Sequence, residues 1–360
     1  MMRAALALAR RSLGRTWPNP AVGCVVVKDG RIVGRGRTQE GGRPHAETEA
    51  LAQAGTAARG ATVYVTLEPC AHHGRTPPCA DALVAAGVAK VVSALEDPDP
   101  RVNGGGHSRL RAAGIAVEVG DGAAEAAEIN AGFLLRVREG RPLFRLKLAG
   151  SLDGRIATAT GESKWITGEA ARAHGQRLRA VHDAILVGIA TAIADDPELT
   201  CRLPGLAGRS PVRIVLDSRA RLPEGGKLAR SAREVPVWIV CTPAAPRERR
   251  AALAEAGVEI IEVAARQDGR VDVAEAARAL AGRGLTRVLV EGGGQIAAAL
   301  LGAGLVDRIS SYRAGLFLGA DGRSAVGALA IARLDFAPRF RLMSARPLQG
   351  DTVETWTRGA

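Results

Sequence analysis

Four residue positions in the first quarter of the chain have types and spacing that could do chemistry. Pro44-His45-Ala46-Glu47 opens a stretch with helical periodicity, Pro69-Cys70 follows a β-branched run, and Cys79 starts a second helical stretch. One imidazole and two thiolates make a soft-to-borderline ligand set suited to Zn²⁺, and three protein ligands leave a fourth position for water, as a catalytic zinc site requires. Glu47, two residues past the histidine on a helix start, is placed to carry a proton to and from that water rather than to bind metal. Hydrolytic deamination of a nucleobase uses such a set, with the glutamate as general acid and base. The competing reading is a closed structural site, with His72 or His73 as fourth ligand and Glu47 only favouring the helix N-terminus. Ligands on helix starts beside a sheet, in a domain with core enough to need no metal staple, count against it.

Eight residues, AHHGRTPP, separate the two cysteines where deaminases usually have two. The insert carries His72, His73, Arg75 and Thr76, donors suited to an anionic or hydroxylated tail; a solvated polar loop is the plainer reading for His73 and Thr76. In the second half, RVLVEGGGQIAAALL (287–301) reads as a strand running through three glycines into a helix, where backbone amides can approach a phosphate. It is not GxGxxG and lies late in the chain, so a Rossmann assignment is unsupported and a tight turn remains the alternative. Asp195-Asp196 before Pro197 is as often a cap or turn as a ligand site. Ser218-Arg219 follows the strand VRIVLD, where a hydroxyl beside a guanidinium suits a 2′-phosphate.

The elements that must position these groups alternate in type. Strands at 22–27, 61–67, 89–95 and 115–119 are interleaved with helical patterns at 46–54 and 79–88, and one long helix is expected over 123–137. EGRP (139–142) then breaks the periodicity, which sets domains at 1–140 and 141–360. Strands at 184–188, 212–217, 235–240 and 286–292 follow, again α/β. At 360 residues two cores are expected. Five scattered cysteines argue against a disulfide framework and for a reducing cytoplasm. Met1 to Thr16 reads as an amphipathic helix without the features of a signal peptide, and no apolar run approaches the ~18 residues of a membrane span. The net charge of +12 comes from 44 Arg against 5 Lys, scattered rather than striped, with 3% aromatics. That distribution argues against a nucleic-acid surface and for a small anionic substrate.

PNPAVGCVVVKDGRIVGRG, PHAETEAL and TLEPCAHHGRTPPCADAL resemble the deaminase half of the bifunctional riboflavin-biosynthesis deaminase/reductase, and KLAGSLDGRIATATGESKWITG (147–168), ILVGIATAIADDPELTCRL (185–203) and the 287–301 segment resemble its reductase half, in the same order. The resemblance implies a cytidine-deaminase-like α/β/α sandwich followed by a dihydrofolate-reductase-like α/β domain. It implies that His45, Cys70 and Cys79 bind zinc, Glu47 is catalytic, and Asn19, His72 and Arg75 contact the substrate. In the second half it implies that Ala149, Trp165, Thr191, Asp195, Ser218 and the loop Gly293, Gly294, Gln295, Ile296, Ala297, Ala298 and Ala299 contact NADPH. Lys147, Ser163, Arg179, Leu199, Arg202 and Glu291 would contact the reductase substrate, the two arginines its phosphate. The implied reactions are deamination of a diaminopyrimidinone ribosylamine 5′-phosphate and reduction of the ribosyl of the resulting aminouracil to ribityl. No acid stands out in the reductase half, which leaves water or the substrate as proton source. The chain departs from the family at Thr38, where many relatives carry His, at Gly150, where a bulkier residue is usual, and at Gly315, where Pro is common. Two rivals remain: a nucleic-acid-editing zinc deaminase, favoured by charge alone, and a zinc-stapled binding protein with a degenerate enzyme fold, disfavoured by the intact Glu47. Homo-oligomerisation is left open by the sequence.

Overall fold

The computed structural model describes residues 1–72, 77–100 and 102–359. The chain divides into two compact units, Met1–Gly140 and Arg141–Ala360. The first contains α1 (Met2–Arg10), β1 (Gly23–Lys28), β2 (Arg31–Arg37), α2 (Ala46–Ala54), β3 (Thr62–Val65), α3 (Cys79–Ala85), β4 (Lys90–Ser93), α4 (Gly105–Ala112), β5 (Ala116–Val119), α5 (Ala123–Ile129) and α6 (Ala131–Glu139). Its five-stranded sheet runs β2-β1-β3-β4-β5, with β1 antiparallel to both neighbours and β3, β4 and β5 mutually parallel. The period of two along a strand sends alternate residues into different cores. Cys24 and Val26 pack with α2, α3 and α6, whereas Val25 packs with α1 and α5. Helices therefore cover both faces, an α/β/α sandwich.

The expected helix over 123–137 is in fact two, α5 and α6, broken at Asn130. The buried Asn130 amide accepts from Ala21 N–H (2.9 Å) and donates to Ala21 O (3.1 Å), a contact across 109 residues that overrides the local pattern. At β2, glycine lets a helix approach the sheet: a Cβ on Gly36 would lie 2.0 Å from Ala46 O. That approach seats the first turn of α2, with His45 at its N-cap and Glu47 inside it.

The second unit contains β6 (Leu143–Ser151), β7 (Arg155–Ala157), α7 (Glu169–Arg179), β8 (Ala184–Gly188), α8 (Ile189–Asp195), β9 (Val212–Leu216), α9 (Lys227–Arg230), β10 (Val237–Cys241), α10 (Arg247–Glu255), β11 (Glu259–Glu262), α11 (Val273–Gly282), β12 (Arg287–Gly292), α12 (Gly294–Gly302), β13 (Val306–Ala314), β14 (Arg323–Ser324), β15 (Phe340–Leu348) and β16 (Asp351–Arg358). Nine strands run β11-β10-β9-β8-β12-β6-β13-β16-β15, parallel as far as β13 and antiparallel beyond it. β8, β9 and β10 are buried along their whole length, as the continuous apolar strands of a covered parallel sheet should be. β15, at the outer edge, is the opposite: seven of its nine residues are exposed, so both of its faces meet solvent.

Candidate active sites

In the first unit, α2 and α3 each bring one ligand at their starts and the chain after β3 brings the third. His45 Nδ1 lies 3.3 Å from Cys79 Sγ and 3.7 Å from Cys70 Sγ, and all three candidate ligand atoms fall within 4.8 Å of one another. Cys79 N–H donates to Cys70 Sγ (3.3 Å). The hydrogen bond from the Cys79 thiol, with help from His45, lowers the Cys70 thiol to about 4, while Cys79, which holds the shared proton, is raised by the same bond and by burial. The hydrogen bond to Cys70 is also the main reason the His45 pKa is raised. Two sulfurs and one imidazole nitrogen gathered at one point, with one thiol pulled down in pKa, are a donor set suited to a catalytic zinc centre.

Glu47 is 4% exposed. Burial raises its carboxyl to about 7 against the opposing pull of His45. It opens on a cavity of about 260 Å³ shared with Asn19, His45, Cys70 and His72. Asn19 is held by donation from its Nδ2 to Gly42 O (3.0 Å). His72 is half-buried, and its buried Nδ1 makes no hydrogen bond among the described residues. Arg75, with His73 and Thr76, lies outside the described residues. Sequence reasoning missed several groups of the cavity wall, among them Glu68, Asp97, Asp99 and Arg136. Asp97 and Asp99 could have been suspected only from the EDPDP run, since nothing in their spacing ties them to the ligands. Thr38 also lines the wall, its hydroxyl accepting from Val22 N–H (2.9 Å).

In the second unit, Arg179 makes a two-pronged pair with Glu291, Nε to Oε1 at 2.8 Å and Nη2 to Oε2 at 2.9 Å, while its Nη1 donates to Thr200 O (2.8 Å). Lys147 Nζ stands 3.6 Å from Glu291 Oε2 and 5.9 Å from the centre of the Tyr312 ring. Burial works to raise the Glu291 pKa, but Lys147 and then Arg179 outweigh it and hold the carboxyl near about 2. Tyr312 and His174 are joined at 2.6 Å. Leu199 is buried with φ 55°, between Glu198, whose carbonyl accepts from the fully buried Arg213 (3.1 Å), and Thr200. Arg202 N–H donates to Gln176 Oε1 (2.9 Å).

The glycine loop behaves as a cradle. Gly293 has φ 91° at the N-cap of α12, and a Cβ on Gly292 would lie 2.9 Å from Thr191 Cγ2, which brings Thr191 against the loop. Gln295, Ala298 and Ala299 line a cleft of about 710 Å³ whose other wall includes Arg266 and Arg270. Ser218 joins that wall to β9, its hydroxyl accepting from Val271 N–H (3.0 Å). Ala149 sits on β6 opposite Tyr312 of β13. Of the acidic pair at the end of α8, Asp196 accepts from Lys227 N–H at the start of α9 (2.8 Å), and Asp195 is exposed. Ser163 and Trp165 occupy an exposed segment, with Arg172 stacked 4.5 Å over the indole, and make no hydrogen bond to the Lys147–Arg179–Glu291 group. Gly150 is required by its surroundings, since a Cβ there would lie 2.5 Å from Arg155 O, whereas Gly315 faces open space. A glycine-rich helix start beside a cleft with two guanidinium groups fits a phosphorylated dinucleotide such as NADPH.

Residues 142–353 match the family described as the RibD C-terminal domain, and residues 1–95 match the cytidine and deoxycytidylate deaminase zinc-binding region. The chain is 44% identical to the riboflavin biosynthesis protein RibD of Escherichia coli over 97% of this chain and 96% of that one. It is 40% identical to the RibD of Aquifex aeolicus, covering 98% and 96%. Among solved structures, Acinetobacter baumannii RibD superposes with a TM-score of 0.88 at 42% identity, covering 100% of this chain and 98% of that one. A diaminohydroxyphosphoribosylaminopyrimidine deaminase/5-amino-6-(5-phosphoribosylamino)uracil reductase from Thermotoga maritima gives 0.86 at 33%, covering 99% and 97%. With likeness of that extent across both halves, the chain belongs to the RibD family of riboflavin-biosynthesis proteins.

Proposed function

We propose that residues 1–140 deaminate 2,5-diamino-6-ribosylamino-4(3H)-pyrimidinone 5′-phosphate and that residues 141–360 use NADPH to reduce the ribosyl of 5-amino-6-(5-phosphoribosylamino)uracil to ribityl. The observation that carries the first half is the gathering of His45, Cys70 and Cys79 within 4.8 Å beside the buried Glu47. These three side chains would hold zinc, which would supply Lewis acidity toward a water molecule. Glu47 takes a proton from the attacking water and returns one to the departing amino nitrogen, a role that needs a carboxylate close to the ligands but not among them. Asn19 orients the pyrimidine, and His72 and Arg75 meet the phosphorylated ribose. In the second half Lys147, fixed by Glu291, presents its ammonium to the ribose; Arg179 and Arg202 serve the phosphate, and Ser163 and Leu199 complete the substrate contacts. Ala149, Trp165, Thr191, Asp195, Ser218 and 293–299 position the nicotinamide cofactor, with Arg266 and Arg270 suited to its 2′-phosphate.

The test is direct. Purified protein is expected to carry one zinc per chain, release ammonia from the diaminopyrimidinone phosphate, and then oxidise NADPH in preference to NADH. Ammonia release without zinc, or equal kcat/KM for the two cofactors, counts against the reading.

The proposed partners are small phosphorylated pyrimidines, not nucleic acid. Pairing of many arginines with acids, such as Arg10–Glu125, Arg109–Asp81 and Arg283–Glu259, supports this by breaking up the positive field. Absence of a mobility shift with single-stranded RNA is the check. Among the described residues no helix is long and apolar enough to cross a membrane; we place the chain in the cytoplasm. Exposed Leu334, Phe336, Leu342 and Met343 on and before β15 support self-association, which light scattering tests.

A further inference from the structure

Glu68 stands two residues before Cys70 and has no part in the chemistry set out above. Its side chain is fully buried, where an unpaired carboxylate would be costly. Four backbone amides compensate it, all from one downstream segment. Oε2 accepts from Asp97 N–H (3.1 Å) and Gly104 N–H (3.0 Å); Oε1 accepts from Gly106 N–H (2.8 Å) and His107 N–H (3.1 Å). Gly106 and His107 are the second and third residues of α4, whose N-cap, Gly104, has no side chain to offer. Glu68 therefore caps this helix from another element, at the end that favours negative charge. The far side of the segment is also tied, with His107 Nε2 3.0 Å from Ser93 Oγ and that hydroxyl donating to Leu95 O (3.0 Å). Contact is tightest at Gly106, where a Cβ would lie 1.9 Å from the carbonyl oxygen of Pro69, the neighbour of Cys70.

The same segment carries part of the cavity wall. Asp97 and Asp99, each 7% exposed, line the space that holds His45 and Glu47, and Asp99 N–H donates to Asp97 Oδ1 (3.0 Å). The backbone of Asp97 thus hangs on Glu68 and that of Asp99 on Asp97.

We propose that Glu68 is a positioning residue for deamination, holding the Asp97–Asp99 wall in register with the metal ligands so that both carboxylates meet the polar edge of the pyrimidine in one geometry. This rests on the deaminase reading above. A glutamine in its place keeps the volume but offers one oxygen and one amino group, so in either orientation one pair of amides faces a donor. Glu68→Gln in the full-length zinc protein is expected to raise KM for the diaminopyrimidinone phosphate about tenfold, the worth of about one charge-assisted hydrogen bond, with a much smaller change in kcat. Zinc content and NADPH-dependent reduction of supplied aminouracil phosphate stay at the wild-type level. A folded, zinc-loaded variant with wild-type KM overturns the proposal, and so does one that loses zinc, because Glu68 would then serve Cys70 instead of the wall.

Amide hydrogen exchange on the wild-type chain decides the anchoring without any variant. The amides of Asp97, Gly104, Gly106 and His107 are expected to be protected like those of β4, and exchange at the rate of a surface loop overturns the proposal. Failure of the wild type to release ammonia would remove the deaminase reading and leave the exchange result to stand or fall by itself.

Discussion

Both candidate centres use a buried acid, and the surroundings give the two acids opposite character. Around Glu47 desolvation wins and the carboxyl is raised to about 7; around Glu291 two cations win and it is held near about 2. Glu47→Gln leaves all three ligands in place, so it is expected to keep one zinc per chain while ammonia release falls by about 10²- to 10⁴-fold, the usual share of a general acid–base group. Metal analysis beside a coupled ammonia assay checks it, and a variant working at the wild-type rate would refute the role.

For Glu291 the expectation concerns stability. Its folded pKa lies below the ordinary 4.5, so its contribution is present above that value and is lost as pH falls from about 4.5 towards 2. Glu291→Gln leaves Arg179 and Lys147 without their partner and should destabilise the reductase unit by about 3 kcal/mol at neutral pH. Melting curves for variant and wild type should converge through that acid window. A gap of constant size across it would show that the ion pairs are not its source.

At the scale of elements, the helix starting at Ala46 was legible from its apolar spacing, because α2 buries one face on the sheet that its own neighbours form. The gathering of His45, Cys70 and Cys79 at one point was legible from residue type and from their places at element ends. Asn130 was not, since the break between α5 and α6 depends on Ala21, far away in sequence. Glu68 was equally silent: it sits inside the TLEPC segment, but its four donors lie about 30 residues or more downstream and reveal themselves only when folded. The close seat of α2 on β2 supplies a prediction at this scale. Gly36→Ala places a methyl against Ala46 O and must push the first turn of α2 outward. A loss of about 1–3 kcal/mol is expected, as for other overpacked cores, together with weaker zinc retention against a chelator, because His45 moves with that turn. Unchanged zinc affinity would show that the ligands are held independently of the helix.

At the scale of the whole molecule, each unit has its own sheet and its own core. The two activities should then be separable. Glu47→Ala is expected to abolish ammonia release and leave reduction of supplied aminouracil phosphate intact, and Glu291→Ala to do the reverse in protein shown by melting to be folded. Loss of both activities in well-folded Glu47→Ala would call for one composite site.

The outer edge of the second sheet carries a different consequence. A strand solvated on both faces contributes little packing, so in an isolated chain its side chains should be almost freely replaceable, most changes lying within about ±0.5 kcal/mol. Self-association through β15 reverses that expectation: Leu342 and Met343 would then resist polar substitution as interior residues do. A saturation library across 340–348, scored for folded and active protein, reads that tolerance position by position. Uniform permissiveness would mean that the edge is bare in solution, and intolerance confined to the apolar positions would mean that a second copy covers it.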